Sequence, residues 1–231
     1  MERKIKFAPE EYYHLYSRGV EKRKIFIRHQ DYQRFIALLY IMNQEGPFNF
    51  ANFLKSNKLG EVFNETKGKA LVSILSYTLM PNHFHILVYE HIEGGISRFM
   101  MKLLTAYSMY FNTKYKRSGP LFMHPFRAQH VQGQAQYLWI FSYIHLNALG
   151  IFTKRFKFDK INHKKNADKF LASYEYSSYP EYNAVKRSQS KILNLQLIPY
   201  YLLHTDFSAE DYFKILNKYS KDEEIIEGYP Q

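Results

Sequence analysis

Stretches in which apolar residues alternate with polar ones are interleaved along this chain with stretches in which they recur every three or four positions. Strands and helices are therefore predicted in turn. Residues 12–20 are aromatic and alternating, which predicts a first strand ended at Arg18-Gly19, and Ile25-Phe26-Ile27 extends or brackets it. Asp31 is placed to cap a helix running to Asn43, with Phe35, Leu38, Leu39 and Met42 at helical spacing and Gly46-Pro47 beyond its end. Residues 48–69 are polar, with Gly60, Gly68 and a short helix expected at 49–56; they read as a variable surface excursion in preference to a substrate-contacting loop. Strands follow over 70–78 and 83–89, joined by Leu79-Met80-Pro81-Asn82, in which Pro-Asn supplies the turn.

Gly94-Gly95 opens a helix over 96–115 with Ile96, Phe99, Met100, Leu103, Tyr107, Tyr110 and Phe111 on one side and Arg98, Lys102, Asn112 and Lys116 on the other. Residues 121–131 form a strand interrupted by Pro125, hence an edge strand. A helix over 134–147 carries Tyr137, Leu138, Phe141, Ile144 and Ala148 on one side and Gln136, Trp139, Tyr143 and Asn147 on the other, with Gly150 as its C-terminal cap. A basic run over 152–169 is by default a solvated surface, with a phosphate-tracking strip as the alternative, and Ser208 to Asp211 opens a last helix with a capping-box pattern. The order strand, helix, strand, strand, helix, strand predicts an α+β fold, a ferredoxin-like (split βαβ, RRM-like) antiparallel sheet. Its helices are expected on one face and the other face free for ligand.

Composition narrows the partners. The formal charge is +11, from 32 Lys and Arg against 21 Asp and Glu, which favours a polyanion, either nucleic acid or an anionic membrane surface. Tyr and Phe number 21 and 19; most are core, but aromatic residues interleaved with cations also suit stacking on unpaired bases. The absence of cysteine excludes disulfides, thiolate metal sites and cysteine nucleophiles, so any metal must sit on imidazole and oxygen. No apolar run approaches the roughly 20 residues of a membrane span, and no signal-peptide core follows Met1-Glu2-Arg3-Lys4. A cytoplasmic chain without membrane partners is expected.

The candidate chemistry centres on His83-Phe84-His85. On a strand, alternation directs His83 and His85 to one face and Phe84, Ile86 and Val88 to the other, so the pair is either a set of metal ligands or part of a solvated polar face. Tyr143 and Asn147 are neighbours on one helix face. A helical tyrosine opposed to two strand histidines has a chemical logic: a metal polarises a phosphodiester oxygen while the phenol attacks phosphorus and expels the 3′-oxygen. The Asn147 amide oxygen is suited to complete the metal shell.

With these residues in view, the chain resembles the single-tyrosine HUH transposases, closest to the REP-associated tyrosine transposase branch. The resemblance is carried by Met80-Pro81-Asn82-His83-Phe84-His85, Tyr107-x-x-Tyr110-Phe111-Asn112, Leu121-Phe122, Phe126-Arg127-Ala128, Tyr137-Leu138 and Tyr143-Ile144-His145-Leu146-Asn147. Tyr13-His14, Ser17-Arg18-Gly19 and Ser177-Ser178-Tyr179 extend it to about residues 12–183. It implies a transposase/endonuclease domain over 1–183; the remaining residues, 184–231, are expected to form a C-terminal helical extension packed on it. It also implies cleavage and joining of single-stranded DNA near an imperfect hairpin through a 5′-phosphotyrosine, by a monomer or homodimer that uses Mg²⁺ or Mn²⁺. By position, Tyr143 is the nucleophile, and His83, His85 and Asn147 are the metal ligands. Arg18 and Arg127 match basic positions near the substrate path, and Lys102, Lys114, Lys116 and Arg117 are further candidates for DNA contact. The chain departs from the family pattern at Ala148, where Pro is usual, and at Pro125, where a basic residue is frequent.

Two other functions compete with this one. One is a non-catalytic module that binds hairpins or single strands; the other is a metal phosphoesterase with no covalent step, for which too few acidic residues surround the histidines.

Overall fold

The computed structural model describes residues 5–123, 126–152, 164–199, 202 and 208–219. Four antiparallel strands, β1 (Tyr12–Arg18), β2 (Val72–Met80), β3 (His83–Glu90) and β4 (Arg127–Val131), form one sheet in the order β2-β3-β1-β4. Between β1 and β2 lie α1 (His29–Ile41) and the short α2 (Phe50–Ser56), and α3 (Gly95–Lys114) joins β3 to β4. This is the predicted split βαβ sheet.

Alternation along the strands sorts side chains between two cores. Tyr13, Leu15, Tyr77, Leu79, Phe84, Ile86 and Val88 enter the layer closed by α1 and α3. Leu75, Leu87 and Val131 face the other way, into a second core built by α4 (Gly133–Leu146) and the C-terminal segments. The expectation of helices on one face alone is therefore corrected. The reason lies in α4, which buries Tyr137, Trp139, Ile140, Phe141 and Ile144. A helix apolar on so much of its circumference needs a sheet beneath it and cover above.

After α4 the chain continues through α5 (Leu149–Phe152), α6 (Lys164–Ser173), α7 (Tyr179–Tyr182) and α8 (Ala209–Tyr219). The last of these sets Tyr212 and Leu216 into the second core against α4. α4 is also pinned to β2: the His145 ring lies 2.9 Å from Ser178 Oγ, which accepts the Tyr77 amide at 2.9 Å. Arg187 holds this strap, pairing with Glu181 at 2.6 Å and donating to the Glu175 and Ser177 carbonyls at 2.9 and 2.8 Å.

Several boundaries differ from the sequence pattern. Ile25 and Phe26 form no strand; they are buried, and their amides donate to the Pro81 carbonyl at 2.8 and 3.0 Å. β2 runs on to Met80, so the hairpin turn is Pro81-Asn82 alone, and a bulge between Ile74 and Ser76 resets its pairing with β3. Residues 48–69 are not a detached polar excursion. Phe50, Phe53, Val62 and Phe63 are buried in the first core, an outcome masked in the sequence by the lysines and asparagines between them. Pro125 and much of the basic run, including Lys154, Arg155, Lys157 and Lys160, lie outside the described residues.

Asp31 does not precede α1 but stands at its third position. Its carboxylate reaches back to accept the Ile27 and Arg28 amides at 2.9 and 2.8 Å. It is fully buried and also accepts from Tyr110 at 2.9 Å, Lys114 at 2.6 Å and Tyr115 at 2.7 Å, tying the start of α1 to the end of α3. Burial alone would raise the Asp31 pKa, but the Lys114 ammonium and the other donors outweigh it and hold the carboxyl below its usual range. Asp31→Asn removes the charge these donors converge on and is expected to cost about 3 kcal/mol, read as a lower urea midpoint. An unchanged midpoint would mean that the donors are satisfied by water instead.

Candidate active site

The site is assembled by strand register. β3 pairs with β1 so that Arg18 stands opposite His83 and Tyr16 opposite His85; β1 pairs with β4 so that Arg127 stands opposite Tyr16. Cross-strand partners share a face. His83, His85, Tyr16, Arg18 and Arg127 therefore look out on the side of the sheet that carries α4, beyond the end of the second core. Gly19 allows the chain to turn sharply after β1, because a Cβ there would meet the Arg23 carbonyl oxygen at 2.4 Å.

α4 delivers Tyr143 and Asn147 to the same place. The Tyr143 ring meets the His85 ring edge-on with centroids 5.3 Å apart and is backed by Trp139, stacked at 5.1 Å with planes within 8°. The Asn147 side chain lies close enough to both the His83 ring and the Tyr143 hydroxyl to act on each, raising the pKa of the first and lowering that of the second. The pairing of helical tyrosine, helical asparagine and strand histidines expected from spacing is thus present in space.

Each histidine is held by Nδ1. His83 Nδ1 lies 2.7 Å from Asn82 Oδ1, and His85 Nδ1 lies 2.8 Å from His14 Nε2. His85 Nε2 is buried and has no hydrogen-bond partner. Both rings are kept neutral. Burial, helped by the Arg18 charge and opposed by the Asn147 hydrogen bond, pushes His83 down to about 4; burial and the neighbouring imidazoles push His85 well below its ordinary value. Neutral imidazole is the form that binds metal.

Tyr143 is shifted oppositely. Burial raises its hydroxyl to about 12, with the Tyr16 phenol adding to the rise and the Asn147 hydrogen bond working against it. Among the described residues no group of three or more His, Cys, Asp and Glu is clustered as for a metal. A divalent cation fits this donor set through two imidazoles and the Asn147 amide oxygen, with its remaining positions open to oxygen from water or phosphate. The unpartnered His85 nitrogen is the observation that favours such a guest.

The proposed basic residues divide. Arg18 and Arg127 are exposed on the histidine face. Lys102 and Lys114 belong to α3, on the opposite face of the sheet. Lys102 donates to the Gln44 and Gly46 carbonyls at 2.6 and 2.7 Å, and Lys114 is committed to Asp31. Arg117 donates to Asn112 Oδ1 at 2.6 Å and the Pro120 carbonyl at 3.3 Å, while Lys116 is exposed beyond the same helix.

Sequence reading passed over His14, Tyr16, Asn82 and Trp139 as parts of the site, along with exposed Lys22 and Lys24 on the β1–α1 connection. That connection is fastened to the histidine hairpin by Gly19 N to Asn82 O at 2.9 Å and Ile25 N to Pro81 O at 2.8 Å. Alternation along β1 does place His14, Tyr16 and Arg18 on one face. Nothing in the sequence says which strand they lie beside.

A family model described as "Transposase IS200 like" matches residues 11–147, a span that ends on Asn147 and contains every residue of the cluster. No curated protein matches the chain. Among solved structures the chain is similar to a REP-associated tyrosine transposase bound to a REP hairpin. The identity is 11%, the coverage 90% of this chain and 96% of that chain, and the TM-score 0.49.

Neutral buried imidazoles link stability to pH. His14 and His145 are fully buried and each pushed down by burial to about 3. Their folded-state pKa lies below the unfolded value, so protonation favours the unfolded chain. Stability is complete above about pH 6.5 and falls as the pH drops from there toward the depressed values, by up to about 1.4 kcal/mol per pH unit for each site. Thermal melts in metal-free buffer should show Tm declining below about pH 6.5. A Tm that holds level until carboxylates titrate near pH 4 would show these rings to be solvated.

Proposed function

The chain belongs to the IS200-like transposase family, and from that membership and the surroundings of Tyr143 we propose that it cuts and rejoins single-stranded DNA beside an imperfect hairpin. The observation that carries this reading is the placement of a phenol edge-on to one strand histidine, with centroids 5.3 Å apart, and with Asn147 beside it on the same helix face. No helix among the described residues is long and apolar enough to cross a membrane, and the +11 charge suits a polyanion.

In the proposed reaction the Tyr143 Oη attacks the scissile phosphorus. The Oη–P bond forms, the P–O3′ bond breaks, and the DNA remains attached through a 5′-phosphotyrosine while the 3′-hydroxyl leaves. Since one phosphodiester replaces another, a 3′-hydroxyl of a second strand can reverse the step and join. His83, His85 and Asn147 would hold Mg²⁺ or Mn²⁺, which supplies polarisation of a non-bridging phosphate oxygen. Trp139, stacked behind Tyr143, fixes the direction of the phenol. Arg18 and Arg127 flank the phosphate position, and Lys22 and Lys24 extend the positive strip along the connection bound to the hairpin turn.

The donor set has no formal negative charge, so the cation is expected to bind weakly to the free protein and more tightly once a phosphate is present. Mn²⁺ titrations followed by electron paramagnetic resonance should show at least about a tenfold gain in affinity on adding a hairpin oligonucleotide with single-stranded flanks. Equal affinity with and without DNA would speak against a shared shell.

The covalent step is tested with the same oligonucleotide, labelled, and Mn²⁺. The protein should form an adduct that survives boiling in detergent; Tyr143→Phe should abolish it while leaving DNA affinity within about twofold, and a chelator should stop adduct formation. If both proteins bind and neither forms an adduct across varied hairpins, the chain is a binding module on this fold. Products free of protein would point to hydrolysis.

A further inference from the structure

Two imidazoles of one strand are wired alike. In each, Nδ1 meets a fixed polar partner, Asn82 Oδ1 at 2.7 Å for His83 and His14 Nε2 at 2.8 Å for His85. The second partner is unusual. His14 comes from the neighbouring strand β1, where it stands opposite Leu87, so it reaches His85 diagonally across the sheet. Its ring lies nearly parallel to that of His85, with centroids 5.0 Å apart and planes within 15°. It is flanked by Tyr16, also at 5.0 Å, and approached edge-on by Tyr143 at 6.3 Å. His14 is fully buried and His85 is 1% exposed, so no bulk water competes for the bond between them.

A hydrogen bond between two neutral imidazoles has one proton, and its location decides what His85 can do. If His14 donates, His85 Nδ1 is bare and its Nε2 must carry the hydrogen. That hydrogen is then buried with no acceptor, because His85 Nε2 has no partner in the structure. If His85 donates, its Nδ1 is protonated and its Nε2 presents a bare lone pair. The second arrangement moves the remaining ring hydrogen to His14 Nδ1, which is equally buried, so burial of a ring N–H does not choose between the two; only the second leaves His85 a bare ligand nitrogen, as the metal-assisted reading requires.

We propose that His14 is a positioning residue for the metal centre: its Nε2 accepts a hydrogen bond from His85 Nδ1–H and thereby locks His85 in the tautomer whose Nε2 is free to bind a divalent cation. The inference rests on the metal-assisted reading given above. Partners of this kind commonly orient a metal-ligating histidine, and their loss typically weakens metal binding about 10- to 100-fold. An imidazole in this place, where a carboxylate is frequent, adds no negative charge, so the cation keeps its full pull on a phosphate.

The experiment has a metal-free arm and a metal arm. In uniformly ¹⁵N-labelled wild-type protein without metal, long-range ¹H–¹⁵N correlation of the imidazoles should show His85 protonated on Nδ1 and bare on Nε2. It should show His14 with Nε2 as acceptor. The opposite assignment overturns the proposal, and this arm requires no variant to fold. In the metal arm, Mn²⁺ alone is titrated into wild type, His14→Phe and His14→Gln. Phe keeps a flat ring without nitrogen and should weaken binding about 10- to 100-fold, with His85 losing its single tautomer. Gln places a carbonyl oxygen near the vacated Nε2 and should recover most of the affinity. Wild-type binding with His14→Phe binding equally well overturns the role of His14 while leaving the metal reading standing. A wild-type protein that binds no Mn²⁺ either alone or with the hairpin oligonucleotide overturns both.

Discussion

Everything at the candidate site depends on the register of β3 against β1. With Arg18 opposite His83 and Tyr16 opposite His85, the two imidazoles, two arginines and Tyr16 share one face, and Phe84, Ile86 and Val88 are left to fill the core beneath α1 and α3. A slip of one residue would reverse this, driving both histidines into that core and three large apolar side chains out of it. The penalty for such a slip is large because both faces are covered. The apolar residues that stabilise the fold therefore also secure the placement of the polar ones.

The second requirement is that a helix be held at one height above the sheet. α4 touches β2 and β3 below and α8 above, and the His145–Ser178–Tyr77 link ties it to the edge strand β2. Three positions of this helix with different surroundings then do different work. His145 sits in the core between Phe141, Tyr182 and Tyr212; Tyr143 and Asn147 emerge at the rim near the histidines. Helical spacing explains why anchor and working residues alternate: positions 143 and 147 share a face that position 145 does not. Movement of α4 is thus coupled to the packing of the C-terminal segments.

Burial sets the electrical character of the site. The imidazoles are kept neutral and the phenol protonated by the same low-polarity surroundings, so in the absence of a guest the cluster carries little charge of its own. Arg18 and Arg127 at its edge supply the positive charge. Under the proposed function such a surface would take a phosphate at the rim and a cation between the rings. The lysines of α3 serve the fold instead: Lys102 satisfies carbonyls beyond the end of α1, and Lys114 balances the buried Asp31.

The sequence by itself determined the order of strands and helices, the face shared by His83 and His85, and the pairing of Tyr143 with Asn147, because all of these follow from periods of 2 and 3.6 within one element. It also carried the family motifs, all of which but Ser177-Ser178-Tyr179 lie within the matched span 11–147. What only the tertiary structure decided was everything between elements: that α4 crosses the face expected to be open, that the residues around Phe50 and Phe63 are core, and that Asp31 of α1 gathers donors from the end of α3. Above all it set His14 beside His85. Residues 71 positions apart in the chain meet there through strand pairing, and the register of that pairing is fixed by how well both faces of the sheet pack, a quantity that no local stretch of sequence contains.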